Sequence, residues 1–421
     1  MSLIDRPPRS LRRATIAIAT ALIAGATIAP GVSAGITQPY VPSSTKALSP
    51  GIDFTKGIMR TSGSRRQSVR VATVDASDPA VTVKSLLSNG KVVRKERPSR
   101  LARRKSRPGR MAMVATNGDR SVFGRNDAYA APHSMMISNG ELIVAQACAR
   151  PTLGIDSTGV ARISDVRAAI DVQRVGKNWH KPIKRVNTHR DDQGVVLFTK
   201  KFGARTKTKP GGIEVVLDLP HVLLPNDVQV MRVLKVKRGG YNTRLRNGQA
   251  VLSVKSPKAN WVKDLRAGHR LRITTSIVRR VDKRCGGTIR VAGGWHDTVE
   301  AMGGNYFTMR GGKVDPPSRS EDLESSQRHP RTGVGVTADG RILMVTVDGR
   351  RSGYSVGVSL KEMGQLMKSL GATDALNLYG GGSTVLAKRN IKNGRFRVNN
   401  RPSDGRERVH SQALTAFAVT P

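Results

Sequence analysis

Four things are scarce in this sequence. Acidic side chains come first: 30 Asp and Glu stand against 72 Lys and Arg, a net charge of +42. A field of that size attracts polyanions without specificity. An even spread of arginine over a solvated surface is the plainer reading of the same numbers. Aromatic residues are only 4% of the chain, so platforms for stacking sugar rings or bases are few. The basic residues are not interleaved with aromatics and carry no zinc motif, which argues against specific nucleic-acid binding. Cysteine occurs twice, at Cys148 and Cys285, and allows a single internal pairing. No further Cys/His group has zinc-site spacing, because Cys285 and His296 stand isolated. Long apolar runs are missing too. The uncharged stretch from Thr15 to Ala29 is shorter than the roughly 20 residues of a membrane span, so no transmembrane domain is expected in the mature chain. There is no GxxxxGK[ST] phosphate loop, no GxSxG elbow and no internal repeat.

What is present begins with a leader. Arg6, Arg9, Arg12 and Arg13 precede the Ala- and Ile-rich run, and Val32-Ser33-Ala34 supplies small residues where a signal peptidase cuts. This pattern predicts a signal peptide over 1–34, a mature chain from about Gly35, and a secreted, envelope-associated protein. An uncleaved anchor is the rival reading, and Arg12-Arg13 leaves both general and twin-arginine export open. In an exported protein the pair Cys148 and Cys285 is expected to form a disulfide.

Residues 35–67 are rich in Ser, Pro, Thr and Gly and read as a flexible linker. The folded part begins over 68–149 with apolar strands at Val69–Val74, Ala80–Leu87 and Met111–Ala115. Arg94–Arg110 interrupts them as a basic loop or exposed helix, and Lys200–Lys209 reads as a second exposed basic loop. Asn139-Gly140 between apolar residues predicts a hairpin. Over 150–284, many short Val/Leu/Ile runs with turn residues between them predict a β-rich intervening subdomain. The segment 285–421 changes style. Thr332–Thr337 and Ile342–Val347 read as a hairpin around Asp339-Gly340. Ser359 and Glu362 form a capping box, and Leu360, Met363, Leu366, Met367 and Leu370 make one apolar helical stripe. The expected class is α+β: a mixed β-sheet core with few helices and an inserted β-rich part.

Four segments put polar residues at strand ends: Asn117-Gly118-Asp119, His329-Pro330-Arg331-Thr332, Asp348-Gly349-Arg350, and Asn377 with Gly380, Gly381, Gly382 and Ser383. Strands that present carboxylates, amides and guanidinium groups from loops are how active sites are usually mounted. A glycine run can form a nest of N–H groups around a phosphate, and Arg331 and Arg350 can clamp phosphate oxygens. Taken singly, each is an ordinary turn or loop signal.

Together they are specific. RTGVGVTADGRILMVTVDGR, the capped helix, LGATDALNLYGGGST and VNNRPSDGRERVHSQALTAFAV resemble the phosphodiester glycosidase family, which includes many exported bacterial proteins. VATNGDRSVF and the segment from Asn187 to Leu217 agree more loosely. The resemblance implies hydrolysis of a sugar joined through its anomeric carbon to a phosphodiester, in a wall polymer or glycoconjugate. It carries the family's polar positions onto Asn117, Arg331, Asp348, Asn377, Gly380–Gly382 and Ser383 as substrate-binding or catalytic residues. The family places an Asp directly before the three glycines; here Tyr379 stands in that position.

Glycoside cleavage commonly uses two carboxylates. A phosphate leaving group relaxes that need, because it departs without much protonation. Asp348 is then the first candidate base or nucleophile and Asp119 the second, with Tyr379 as hydrogen-bond donor or nucleophile. The other reading is that Tyr379 blunts the site, leaving a protein that binds anionic cell-surface polymers without turnover. Asp348 and Asn377 could supply oxygens to a divalent cation, but Tyr379 removes a potential ligand, and no cofactor is expected. His296 and Asn305 are two further residues that could border the cleft.

Overall fold

The computed structural model describes residues 35–121, 130–190, 194–255, 260–280, 285, 289–318 and 325–419. The expected leader, 1–34, lies outside them. Among the described residues the regular structure is chiefly antiparallel sheet, with two α-helices, and no helix is long and apolar enough to cross a membrane.

Two sheets face each other. One has eight strands in the order Ile36–Ser49, Ile52–Thr61, Arg65–Val74, Ile342–Val347, Arg331–Thr337, Ala372–Asn377, Tyr306–Arg310 and Lys313–Val314. The other has five: Phe396–Val398, Leu386–Arg389, Met111–Asn117, Gln412–Ala418 and Val81–Leu87. Phe54, Val74, Val83, Val114, Met344, Leu376 and Leu414 fill the space between them. The inward residues alternate with outward ones along each strand.

A helix covers the outer face of each sheet. Leu360–Ser369 lies on the eight-stranded sheet, burying Met363, Leu366 and Met367 against Val71, Leu343 and Val345. Its start is the capping box read from the sequence: Ser359 Oγ accepts from Glu362 N at 3.1 Å, and Glu362 Oε2 accepts from Ser359 N at 2.9 Å. Arg94–Arg110 contains the second helix, Pro98–Lys105, with Pro in its first turn. Leu101 and Ala102 bury against Ala112 and Phe417 of the five-stranded sheet while the arginines face out.

The expected linker is a correction. Residues 36–61 form the first two strands of the eight-stranded sheet. Leu48, Ile52, Phe54 and Met59 are buried, and Pro50-Gly51, with Gly51 at φ +67°, makes a tight two-residue turn between Ser49 and Ile52. Ser and Thr fit the exposed positions of a strand as readily as they fit a linker. The expected edges of the intervening part also shift. A third sheet of thirteen strands takes in Met136–Ser138 and Glu141–Val144 before it, and Ile289–Val291 and Thr298–Gly303 after it. Asn139 (φ 50°) and Gly140 (φ 76°) form the anticipated hairpin turn. This sheet curls until its ends meet, where Ala145 and Val186 exchange backbone hydrogen bonds of 3.0 and 3.3 Å. It closes around Ile137, Val166, Val215, Leu252 and Ile273.

Candidate active site

Antiparallel pairing decides which residues share an edge. Arg331 pairs with Val347, Gly333 with Asn377, and Tyr306 with Asn377. The starts of two strands and the ends of two others therefore meet at one end of the eight-stranded sheet. Asn117, last residue of its strand in the five-stranded sheet, arrives at the same end. Its Nδ2 donates to Tyr379 O (2.7 Å) and Gly118 O (3.0 Å), and its Oδ1 accepts from Thr332 Oγ1 (2.8 Å) and Val385 N (3.1 Å). With every polar atom engaged and no exposure, Asn117 is the staple that ties the glycine turn to both sheets.

The glycine turn is tightly built. Gly381 N donates to Pro330 O (2.7 Å), Ser383 N to Gly380 O (3.3 Å) and Thr384 N to Gly381 O (3.1 Å). A Cβ at Gly380 would sit 2.7 Å from Pro330 O, and one at Gly382 would sit 2.3 Å from Asp404 Oδ1 and 2.4 Å from Arg408 Nη2. Gly381 takes φ +63° beneath the Arg350 guanidinium. Close approach explains this run better than flexibility does. Gly381 N is used internally, so the run does not turn all of its N–H groups toward a phosphate. Ser383 is buried behind the turn.

A cavity of about 770 Å³ opens there, and its walls include Asn305, Tyr306, Asn377, Tyr379 and the three glycines. Five arginines line it, namely Arg120, Arg150, Arg331, Arg350 and Arg408, together with His133 and His329. Among the described residues no carboxylate lines it. Arg331 is buried, with Nε donating to Val358 O (3.1 Å) and Nη2 to Gln327 O (3.0 Å). Arg350 takes φ +60°, an unusual conformation for a non-glycine residue, and its exposed guanidinium stands 3.4 Å from His329 Nδ1. Asn377 is 2% exposed and its Oδ1 has no hydrogen-bond partner, an acceptor left for whatever fills the cavity.

The two candidate carboxylates stand outside the lining. Asp348 is buried and fully occupied. Its Oδ1 accepts from Asn400 Nδ2 (3.0 Å) and Arg401 N (3.1 Å), its Oδ2 from Tyr354 OH (2.9 Å), and Arg70 pairs with it at 3.4 Å. It braces the turn that carries Arg350. Asp119 is also buried, accepting from Arg120 N at 2.6 Å, while its Oδ2 has no well-formed partner although Ser134 lies beside it. Burial pushes its carboxyl up to about 7, and Ser134, the Arg120 N–H and Arg150 only partly oppose that. His133 moves the other way, down to about 4, from burial and then from Arg150 and Arg120. It is neutral at physiological pH. Asp404, the remaining nearby acid, is paired with Arg408. Among the described residues no three His, Cys, Asp or Glu side chains gather as a metal site requires.

Of the residues singled out in the sequence, the structure gathers Arg331, Arg350, Asn377, Tyr379, Gly380–Gly382 and Asn305 around one cavity. It sets Asn117, Asp119, Asp348 and Ser383 in the layer behind, and leaves His296 exposed elsewhere. His329, from the segment ahead of Arg331, lines the cavity too, whereas sequence reasoning missed Arg120, His133, Arg150, Tyr306 and Arg408 as cavity residues. Among 72 basic side chains, nothing in spacing separates those that converge. The pairing of Cys148 with Cys285 is present and sits close by: a neighbouring hollow is lined by both cysteines together with Arg150, Asn305 and Tyr306.

Fold and cavity thus define an antiparallel β protein with an anion-attracting site at its strand ends. Residues 227–417 match the family model described as phosphodiester glycosidase, and the resemblance read from the sequence holds over that stretch. The fold is shared with a hypothetical protein from Synechocystis (TM-score 0.70, 18% identity, 91% of this chain and 68% of that one). It is shared also with a protein described as exported from Burkholderia pseudomallei K96243 (TM-score 0.65, 18% identity, 86% and 77%). An uncharacterized SPbeta prophage-derived protein of Bacillus subtilis, YomE, is 40% identical over 88 residues, which is 21% of this chain and only 13% of the Bacillus protein.

Proposed function

We propose that this protein is an exported hydrolase that cleaves sugar-1-phosphodiester bonds in an anionic envelope polymer or glycoconjugate. The observation that carries the reading is a cavity lined by five arginines and, among the described residues, by no carboxylate; three of those arginines, Arg331, Arg350 and Arg408, lie in the stretch that matches the phosphodiester glycosidase family model. Such a lining favours a phosphodiester and stabilises the charge that grows on a departing phosphate. Asn377 and Asn305 are placed to meet sugar hydroxyls. The phosphate leaves without needing an acid, so the remaining demand is a group that takes a proton from water. Neutral His133 offers an acceptor nitrogen for that proton on the cavity wall, and Asp119, with its carboxyl near 7, is the buried carboxylate in the layer behind the wall. Asp348 acts by holding Arg350 in place. The leader and the single disulfide support export.

A second reading has an observation of its own. By the resemblance Tyr379 fills the position where the family has a carboxylate, and among the described residues no other carboxylate replaces it in the lining. On that reading the cavity binds a sugar phosphate and does not turn it over. Rates for the wild type, Asp119→Asn and Tyr379→Phe on a soluble sugar-1-phosphodiester separate the two. Turnover lost in Asp119→Asn at unchanged KM supports hydrolysis. Binding without turnover in the wild type supports the second reading.

A further inference from the structure

A larger cavity, about 930 Å³, lies on another face and shares no lining residue with the first. Its walls come from the end of the Pro98–Lys105 helix and the turn after it on one side, and from the Leu386–Val398 hairpin on the other. Arg103, Arg107, Arg389, Arg395 and Arg397 line it, and no Asp or Glu does. Both walls are rigid. Arg107 and Arg110 exchange backbone hydrogen bonds of 3.0 and 2.9 Å across Pro108-Gly109. Asn390 N donates to Arg395 O (2.8 Å), and Gly394 O accepts from Arg389 Nη1 at 2.5 Å. Arg389 is spent on holding that turn, with its Nε donating to Ala112 O at 2.9 Å. The other four are exposed or half-exposed, and no ion pair joins them to a carboxylate among the described residues. The acid whose field reaches Arg103 is Glu407, whose oxygens are turned to Ser99 N (2.7 Å) and Ser99 Oγ (2.5 Å).

Like charges gathered around one cavity repel, and a protein keeps such an arrangement where a ligand offsets it. We infer that this cavity is a second anion site, separate from the candidate active site, that grips the phosphate-bearing backbone of a glycopolymer. Phosphates along a chain match several guanidinium groups at once. The apolar members of the wall favour this ligand over the alternatives. Phe396 is buried, with the Arg389 guanidinium 6.0 Å from its ring centroid, so no open ring face is offered for base stacking. Met111 is only partly exposed, and the exposed apolar residues here are Pro108 and, in the same hairpin, Ile391, a patch too small to enter a lipid layer.

The test is calorimetric binding of a short inorganic polyphosphate to the purified protein, to Arg103→Ser/Arg107→Ser/Arg395→Ser/Arg397→Ser, and to a control of equal charge loss, Arg246→Ser/Arg266→Ser/Arg270→Ser/Arg272→Ser. The site variant is expected to bind about tenfold or more weakly, while the control changes by no more than about threefold. Equal losses in both, or no loss in the site variant, overturn the proposal. If the quadruple variant does not fold, Arg395→Ser/Arg397→Ser is read against a two-charge control by the same criterion. A single-stranded oligonucleotide of equal charge and an anionic phospholipid vesicle serve as competitors; tighter binding of either at this site overturns the assigned ligand class. Turnover of a small sugar-1-phosphodiester is unaffected by the site variant, so a failure here is distinct from a failure of the proposed hydrolysis.

Discussion

Asp119 and Asp348 look alike in the sequence, each an acid beside a glycine at the end of an apolar strand. Their surroundings separate them. Asp348 is held by Tyr354, Asn400, Arg401 and Arg70, so Asp348→Asn is expected to cost about 2–3 kcal/mol of stability through the unpaired Arg70 and Arg401 N–H. A thermal melt and kcat measured on the same preparation check this. A kcat reduced a hundredfold or more at unchanged melting temperature would instead make Asp348 the base. Asp119 carries a pH signature. Its folded value, about 7, lies above that of an unfolded Asp, so the native state holds the extra proton. Its contribution to stability is present below about pH 4 and is lost as pH rises towards 7. Asp119→Asn is therefore expected to remove that slope and to raise stability at pH 8 by roughly 2–4 kcal/mol, read from denaturant midpoints across pH. That Tyr379 would border the cavity was legible from family resemblance alone. The environment of Asp119 was not, because burial and the approach of Arg150 depend on strands distant in sequence.

Elements with local signatures were legible. Ser359 and Glu362 cap a helix whose apolar stripe faces the sheet, and Asn139-Gly140 turns a hairpin, because capping and positive φ are decided within a few residues. Ser359→Ala is expected to cost about 1 kcal/mol, measured by equilibrium unfolding. Gly382→Ala should do more, since its Cβ would meet Asp404 and Arg408; it is expected to displace Arg408 and raise KM for a sugar phosphate. Elements whose signal is diluted were misread. Residues 36–61 carry four buried apolar side chains among many Ser and Thr, and only the Pro50-Gly51 turn marks them as a hairpin. The edges of the thirteen-stranded sheet were hidden for a related reason. Thr298–Gly303 pairs with Arg150–Asp156 across more than a hundred residues, and no local pattern encodes that partner.

At the scale of the whole molecule, the charge of +42 is not a uniform coat. Among the described residues two cavities concentrate arginine without carboxylates, and composition could not say where. Binding of any phosphate polymer should therefore weaken steeply with salt, as counterions compete for the same guanidinium groups. The Cys148–Cys285 bond joins residues 137 apart. On the chain-entropy account its removal costs about 5 kcal/mol, so a Cys148→Ser/Cys285→Ser variant should unfold at markedly lower denaturant. The account as a whole rests on the cavity at the strand ends being a site of sugar-1-phosphodiester hydrolysis. Phosphorus NMR of the purified protein with a soluble sugar-1-phosphodiester tests it most directly. The account predicts that the diester resonance gives way to a monoester, and that Arg120→Ser/Arg350→Ser abolishes the change in a folded protein. A diester signal that stays constant with both the wild type and Tyr379→Asp would contradict it.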